Sequence, residues 1–349
     1  MTGEPRSRRD FLETLGKLAL ASAPAAALLE ACRKGGRSRG QRPIPGLAAK
    51  VAIVPCAEYG TDELTEAIKT GWTSTDHPDV RNKRVVLKPN VIEFSPDHPI
   101  ITDVRLVDAV VRFLIAEGAR EIAIAEGPAN DRESETLWKR SGYRALAEEH
   151  GLELIDLNYD SVVSVNHRLF PGQLLQNLFL PETVVTAEVL ISLPKMKTHK
   201  WAGLTLSLKN MFGIVPGVKY GWPKNILHWN GIPQSICEIN SAVRVHYSIV
   251  DAVVGMEGYG PLLGDAKPVG LLVMGDNSVA VDGTAARVMG IEPARVEYLQ
   301  MARNIRLGSY HPQNIRLSGV PLERARRDFA LERGFEYMRA DPRAFRETR

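Results

Sequence analysis

Apolar runs alternate with segments of helical periodicity from residue 50 onwards. Short apolar runs bounded by polar, Gly or Pro residues are typical of buried strands, and apolar positions three and four apart are typical of helices. The predicted strands are 50–56, 84–90, 121–127, 152–158, 188–194, 247 to near Asp251, and 269–277. The predicted helices are 62–72, 102–119 with Thr102 as N-cap, 135–151 with a break at Gly142, 234–245, 278–290 and 293–305.

This order of elements predicts an α/β fold. The alternation β-α-β-α-β favours a mainly parallel, mixed sheet flanked by helices, with two α/β lobes around a cleft as an alternative arrangement. Residues 159–181 are less regular, and an antiparallel strand pair is expected there. We place the α/β domain at 47–305 and a peripheral cap at 306–349.

The stretch "LPKMKTHKWAGLTLSLKNMFG" (193–213) sets four lysines and one histidine directly after an apolar run. A solvated charge run is the ordinary explanation. However, polar residues also follow the other predicted strands: Lys88, Glu126, Asp251 and Asp276. Ligands of open parallel sheets bind outside the carboxyl ends of the strands. We therefore expect a site at this edge.

Lysine and histidine side chains at such an edge can bind an anion and transfer a proton. Lys88 and Lys195 would hold a carboxylate or phosphate, with Lys209 adding positive charge. Crowded lysines depress one another's pKa, so Lys197 with His199 could act as acid or base.

A metal site is the alternative use of the same residues. His199 with His228 and a carboxylate, Glu126 or Asp251, would give a metal set, although no HxxxH spacing supports it. Either carboxylate could instead orient a base. A structural role is equally open for either histidine.

Several function classes receive no support. The chain has three cysteines and no CxxC, so its own cysteines cannot hold an iron–sulfur cluster or a zinc ribbon. It also has no GxxxxGK[ST], no GxGxxG after a strand and no GxSxG. Cys56 and Cys237 are either a disulfide or two buried thiols.

The charge of the chain is concentrated at its start. The formal net charge is +3, but residues 1–50 carry ten Lys/Arg against four Asp/Glu, which leaves 34 basic and 37 acidic residues in the remainder. The remainder therefore lacks the basic field that nucleic-acid binding needs.

The first 42 residues are predicted to be a signal and linker. "SRRDFL", with Arg8 and Arg9, resembles the twin-arginine export motif, and a short Ala/Leu-rich run follows it. An ordinary basic amphipathic start is the alternative. "LLEAC" ends at Cys32 and is similar to a lipoprotein cleavage box, with Glu30 a poor fit. The protein is thus expected to be exported to the periplasm by the twin-arginine translocase, with lipid anchoring at Cys32 as a lesser alternative.

Six segments of the chain resemble the family known as domain of unknown function 362 (DUF362). They are "VVLKPNV", "IAEG", "LPKMKTH…LTLSLKNMFG", "ILHW", "SIVDAVVGMEGYGP" and "MGDNSVAVDGTAARVMG", between residues 50 and 290. The resemblance implies an α/β fold and a shared polar site at Lys88, Asn90, Lys195, Lys197, Thr198, His199, Lys209, Asn210 and His228. It implies no particular reaction. Many relatives carry a ferredoxin-type cysteine module that this chain lacks, which puts electron transfer through its own cluster in doubt.

A weaker, fold-level analogy exists with nickel-pincer lactate racemases, which place lysine and histidine in a cleft of an α/β protein. We expect an exported enzyme that acts on a small anionic substrate by proton transfer, with a metal or organic cofactor open. The alternative is a non-catalytic anion-binding or accessory protein of a redox system, with a separate redox partner.

Overall fold

A computed structural model of the chain describes residues 47–128, 134–165 and 178–341. These residues all belong to one compact unit, residues 43–349. Arg8, Arg9 and Cys32, and with them the predicted signal and linker, lie outside the described residues.

Ten of the twelve described strands form one mixed sheet. The strands are β1 (Ala49–Pro55), β2 (Arg84–Pro89), β3 (Glu121–Glu126), β4 (Glu153–Asp156), β5 (Val162–Val165), β6 (Leu178–Pro181), β7 (Val189–Leu193), β8 (Lys195–His199), β9 (Gly203–Thr205), β10 (Tyr247–Glu257), β11 (Asp265–Gly275) and β12 (Ile315–Gly319). Their order is β12-β1-β11-β10-β7-β2-β3-β4, with β8 beside β10 and β9 beside β8. Only the pairs made by β11 and the β8–β9 pair are antiparallel within it. The predicted mainly parallel, mixed sheet is confirmed. Strands from both halves of the chain belong to this one sheet.

Helices cover both faces of the sheet. They are α1 (Thr61–Ser74), α2 (Val104–Ala116), α3 (Ser134–Arg140), α4 (Tyr143–His150), α5 (Glu182–Val185), α6 (Ser207–Asn210), α7 (Gly217–Tyr220), α8 (Ile226–Trp229), α9 (Ile232–Ala242), α10 (Ser278–Val288), α11 (Glu297–Asn304) and α12 (Leu322–Ala325). Alternate residues of each strand enter opposite cores: Val86 packs on the side of α9 to α11, while Val85 and Leu87 pack against α1 and α2. Two apolar layers therefore hold the sheet rigid.

Several local predictions are confirmed. The break between α3 and α4 falls at Gly142, whose φ of 84° places it in the left-handed region that glycine tolerates. β5 and β6 pair antiparallel, as expected within 159–181. Cys56 and Cys237 are buried free thiols, which is the second of the two alternatives.

The N-cap of α2 is Asp103 rather than Thr102. The Asp103 side chain accepts the backbone N–H of Arg105. The Thr102 hydroxyl instead links the ends of β2 and β7, since it accepts from the Asn90 N–H and donates to the Leu193 carbonyl. Both residue types are good caps, so the sequence alone could not decide between neighbours.

The chain does not leave the sheet at Leu193. After Pro194 it continues as β8 along β10, and all five residues of β8 are buried. The expected end of β10 near Asp251 was also wrong, because that strand runs on to Glu257 and pairs with β8 and β11. The lysine-rich stretch therefore starts as a buried strand.

The last described segment adds to the sheet and the core. β12 pairs parallel with β1 at the sheet edge, and Phe329 and Met338 are buried. No helix within the described residues is both long enough and apolar enough to span a membrane.

Candidate functional site

A cavity of about 750 Å³ lies beyond the carboxyl ends of β2 and β3 and beside β8. Seven of the predicted site residues line it: Asn90, Glu126, Lys197, His199, Lys209, Asn210 and His228. Four others, Lys88, Lys195, Thr198 and Asp251, are buried but do not line it. The predicted strand edge thus assembles one site, with some of its residues supporting it from behind.

Lys88 at the end of β2 forms a buried ion pair with Glu126 at the end of β3. The Lys88 Nζ atom lies 2.7 Å from Glu126 Oε2 and 2.8 Å from the Pro89 carbonyl. The two Glu126 oxygens also accept the N–H groups of Val91 and Gly127. Burial lowers the pKa of Lys88, and the Glu126 carboxylate acts in the opposite direction. This cation is therefore already neutralised by the protein.

Lys195 has the same arrangement with a different carboxylate. Its Nζ atom lies 2.9 Å from Asp251 Oδ2 and 2.8 Å from the Tyr59 hydroxyl. Tyr59 donates to Asp251 Oδ1 at 2.8 Å, and the Asp103 N–H donates to Oδ2 at 2.9 Å. This network joins the β1–α1 connection, the start of α2, β8 and β10, so Lys195 holds the scaffold of the site. Thr198 is likewise used internally, since its hydroxyl donates to the Gly258 carbonyl.

Lys197 differs from both of these lysines. It is 1% exposed, and its Nζ atom donates to the Ile100 carbonyl at 2.7 Å. No carboxylate of the described residues lies within ion-pair distance of it. Burial, and then the nearby charges of Lys209 and Lys195, hold its pKa well below the usual value. The amine therefore loses its proton more readily than that of an ordinary lysine, and in its neutral form it can accept one.

His199 presents a fixed N–H to the cavity. Its Nδ1 accepts the backbone N–H groups of Trp201 and Ala202 at 3.1 and 3.2 Å, so the ring proton sits on Nε2. Burial and the charges of Lys209 and Lys197 hold the pKa of His199 well below its usual range. A neutral imidazole held in this way donates a hydrogen bond. The acid or base role expected of His199 stays a prediction, and the fixed N–H also suits it to hydrogen-bond donation.

The half-buried Lys209 and the buried Lys224 supply the remaining positive charge of the cavity wall. Burial lowers the pKa of each to about 7, with Lys88 as a further cause. Lys209 lies over the Phe212 ring at 3.8 Å, and Lys224 donates to the Gly127 carbonyl at 2.7 Å. Sequence reasoning missed Lys224, because "GWPKN" follows no strand and its lysine carries no motif signal.

Asp282 holds the short helix that carries Lys209 and Asn210. It lies buried in α10, and its two oxygens accept the N–H groups of Ser207 and Leu208 at 2.7 and 3.0 Å. Burial raises the pKa of Asp282 to about 7. Asn210 then donates to the Lys88 carbonyl, which fixes α6 against β2.

Asp276 does not reach the site. It follows β11, which runs antiparallel to its neighbours, so it lies at the opposite edge of the sheet, beside the start of β1 and β10. Hydropathy did not indicate this reversal, because a β-hairpin with a long connection and a parallel crossover have similar hydropathy patterns.

Although three of the predicted metal ligands line the cavity, their ligand atoms do not converge on one point. Glu126 and Asp251 are each bound to a lysine, and His228 is exposed. Within the described ranges, three ligand atoms converge only at Asp108, Glu149 and His150, on α2 and α4, where Arg112 already binds both carboxylates. The described cavity residues therefore do not fit a metal ion held by that set.

The profile of "Domain of unknown function (DUF362)" matches residues 85–287, which contain most of β2, the strands β3 to β11 and most of α10. A thylakoid-associated protein of Synechocystis is 27% identical over 234 residues, covering 64% of this chain and 68% of that protein.

Two solved structures resemble parts of the fold. A crystal structure of a Thermotoga maritima protein has 16% identity and a TM-score of 0.35, covering 56% of this chain and 50% of that one. The lactate racemase apoprotein of Thermoanaerobacterium thermosaccharolyticum has 14% identity and a TM-score of 0.40, covering 73% and 60%. The chain thus spans about half to three fifths of these two proteins.

Proposed function

We propose a function on the premise that the chain belongs to the DUF362 family, as the match over residues 85–287 shows. The protein is an enzyme that binds an organic anion, a carboxylate or phosphate, in the cavity and transfers a proton to or from it. The observation that carries this proposal is Lys197, a buried cavity-wall lysine without a carboxylate partner among the described residues.

The charge balance of the cavity supports anion binding. Four lysines line it (Lys197, Lys200, Lys209 and Lys224), and Glu126 is the one carboxylate among the described lining residues. That carboxylate is already paired with Lys88. Buried cations are stable when an opposite charge accompanies them, so a bound anion would supply the missing partner and raise the pKa of Lys209 and Lys224.

The two residues of β8 that face the cavity have different roles in the reaction. Lys197 and His199 are two positions apart on one strand and point to the same side of it. Lys197 takes the substrate proton on Nζ and becomes an ammonium. The His199 Nε2–H donates to the substrate oxygen on which negative charge builds up.

Hydrogen–deuterium exchange tests this function without knowledge of the full reaction. A panel of carboxylates and phosphate esters is incubated with the protein in D₂O, and exchange at carbon is followed by NMR. We expect exchange with the wild type, its loss in Lys197→Met, and no change in Lys69→Met, an exposed lysine on α1. Anion binding without exchange would instead support the non-catalytic anion-binding alternative.

We further propose export by the twin-arginine route. The support is the "SRRDFL" motif, which includes Arg8 and Arg9. Cell fractionation of the full chain should find the protein in the periplasm, and Arg8→Lys/Arg9→Lys should retain it inside. Cytoplasmic wild-type protein would refute the proposal. If Cys32→Ser moves the protein out of the membrane fraction, a lipid anchor at this position is supported.

A further inference from the structure

The cavity changes in character from its floor to its mouth. Its floor is polar and buried: Lys197, Lys224, Asn210 and Glu126 are each at most 2% exposed. Its mouth is aromatic and aliphatic, and its described residues are open to solvent: Trp201 is 58%, Tyr259 48% and Leu263 63% exposed. Large apolar side chains left open around one cavity are costly in water unless they contact something.

The size of the cavity also exceeds what a bare small anion needs. A volume of about 750 Å³ lies within the range of roughly 300–1,000 Å³ seen for pockets that enclose drug-sized ligands. A carboxylate or phosphate held by the floor lysines would fill only the deep end. The walls between floor and mouth carry Phe212, Leu227, Ile232 and Leu262, which offer no polar side chain to a ligand.

Lys200 fixes the two aromatic rings at the mouth. Its Nζ atom lies 4.7 Å from the centre of the Trp201 ring and 5.3 Å from that of the Tyr259 ring. The Lys200 N–H also bonds to the Gly260 carbonyl at 3.0 Å, which joins the end of β8 to the β10–β11 connection. The Trp201 ring further packs edge-on against His228, with ring centres 5.3 Å apart. Both rings are therefore held in place at the entrance.

We propose that the substrate is an amphipathic anion: a carboxylate or phosphate head on the floor lysines, with an aryl or acyl group extending to the mouth between Trp201 and Tyr259. This inference rests on the proposed function, since it uses the same anion-binding floor. It adds that the apolar group of the substrate supplies a large part of its affinity.

Calorimetric titration of the full protein with matched pairs of anions tests the inference. Acetate is compared with octanoate and phenylacetate, and inorganic phosphate with phenyl phosphate. Each methylene that becomes buried strengthens binding up to about fourfold, so we expect the tailed ligands to bind at least about tenfold more tightly than their heads. Octanoate and phenylacetate distinguish an acyl from an aryl preference.

The variants are Trp201→Ala and, as a matched control, Trp229→Ala. Trp229 is 79% exposed and does not line the cavity. We expect Trp201→Ala to reduce the ratio of tailed to untailed affinity at least about threefold. In Trp229→Ala that ratio should equal the wild-type ratio.

The failures of the two proposals are distinguishable. If acetate and phosphate bind as tightly as the tailed ligands, the amphipathic substrate is refuted and the anion site stands. If the ratio of tailed to untailed affinity is unchanged in Trp201→Ala, the amphipathic substrate is also refuted, because the tail then does not reach the mouth. If neither the heads nor the tailed ligands bind, the anion-binding function itself is wrong.

Discussion

Two groups of lysines lie around one strand edge and differ in what they face. Lys88 and Lys195 each contact a carboxylate at 2.7–2.9 Å and stay out of the cavity wall. Lys197, Lys209 and Lys224 face the cavity, and in the described part of the chain no carboxylate forms an ion pair with them. A paired lysine links elements of the fold, whereas an unpaired one is a site that a ligand can complete.

This difference predicts which substitutions affect folding and which affect function. Removing one partner of a buried ion pair leaves an uncompensated charge in the interior, which is strongly destabilising. Replacing an unpaired amine with an apolar side chain removes little stability, because no buried counter-charge is left behind. The four predictions below test this contrast from the largest expected effect to the smallest.

Glu126→Ala should reduce the free energy of unfolding by about 3–5 kcal/mol, because Lys88 and two backbone N–H groups lose their acceptor. Urea denaturation measures it. Asp76→Ala, which breaks the exposed Lys50–Asp76 pair, is the control and should cost at most about 1 kcal/mol. Equal losses in the two variants would show that the Lys88 pair is not structural.

Lys197→Met should change the free energy of unfolding by less than about 1.5 kcal/mol, the scale of one hydrogen bond. It should slow substrate deuterium exchange by at least about 10²-fold, the usual contribution of a general base. Lys88→Met should show a large loss of stability in the same denaturation assay. A Lys197→Met protein that retains full exchange would exclude this lysine as the base.

Acetate affinity should fall as the pH rises above about 7, by up to about tenfold per pH unit for each proton that binding requires. The sign follows from Lys209 and Lys224. Their depressed pKa leaves them protonated below pH 7 and neutral above it, and an anion binds the protonated form. Titration calorimetry between pH 6 and 9 measures the slope, which Lys209→Met should flatten. An acetate affinity that does not change with pH would contradict anion binding by the unpaired lysines Lys209 and Lys224.

Asp282→Asn should cost about 1–2 kcal/mol of stability, because an amide cannot accept both N–H groups of α6. It should also weaken acetate binding severalfold by loosening Lys209. Asn277→Ala is the matched control: it removes the cap of α10, which accepts from the Ala280 N–H, and leaves α6 in place. Equal acetate affinity in the two variants would assign Asp282 a purely structural role.

Much of the fold could be predicted from local sequence. Strands such as 50–56 and 84–90 and helices such as 62–72 lie within a few residues of their predicted bounds, because apolar periodicity reports burial directly. Their order was sufficient to predict a mainly parallel sheet. The polar residues after β2, β3 and β7 do meet at one edge of it.

The pairing of the charged side chains could not be predicted from the sequence. β8 alternates Lys195, Lys197 and His199 with Met196 and Thr198, and the sequence predicted a site at the end of the preceding strand here but not a second buried strand. Lys224 lies 136 residues from Lys88, and nothing local marks either as buried. Asp276 was expected at the site, but the reversal of β11 places it at the far edge.

The sequence by itself determined the elements, their α/β order and the residue types available at the strand edge, since these depend on local periodicity and composition. Only the tertiary structure decided which lysines meet a carboxylate, which nitrogen of His199 holds the proton and which aromatic rings surround the cavity. The reason is physical: pairing, burial and pKa depend on distances of a few ångströms between residues far apart in the chain, and those distances exist only once the sheet has assembled.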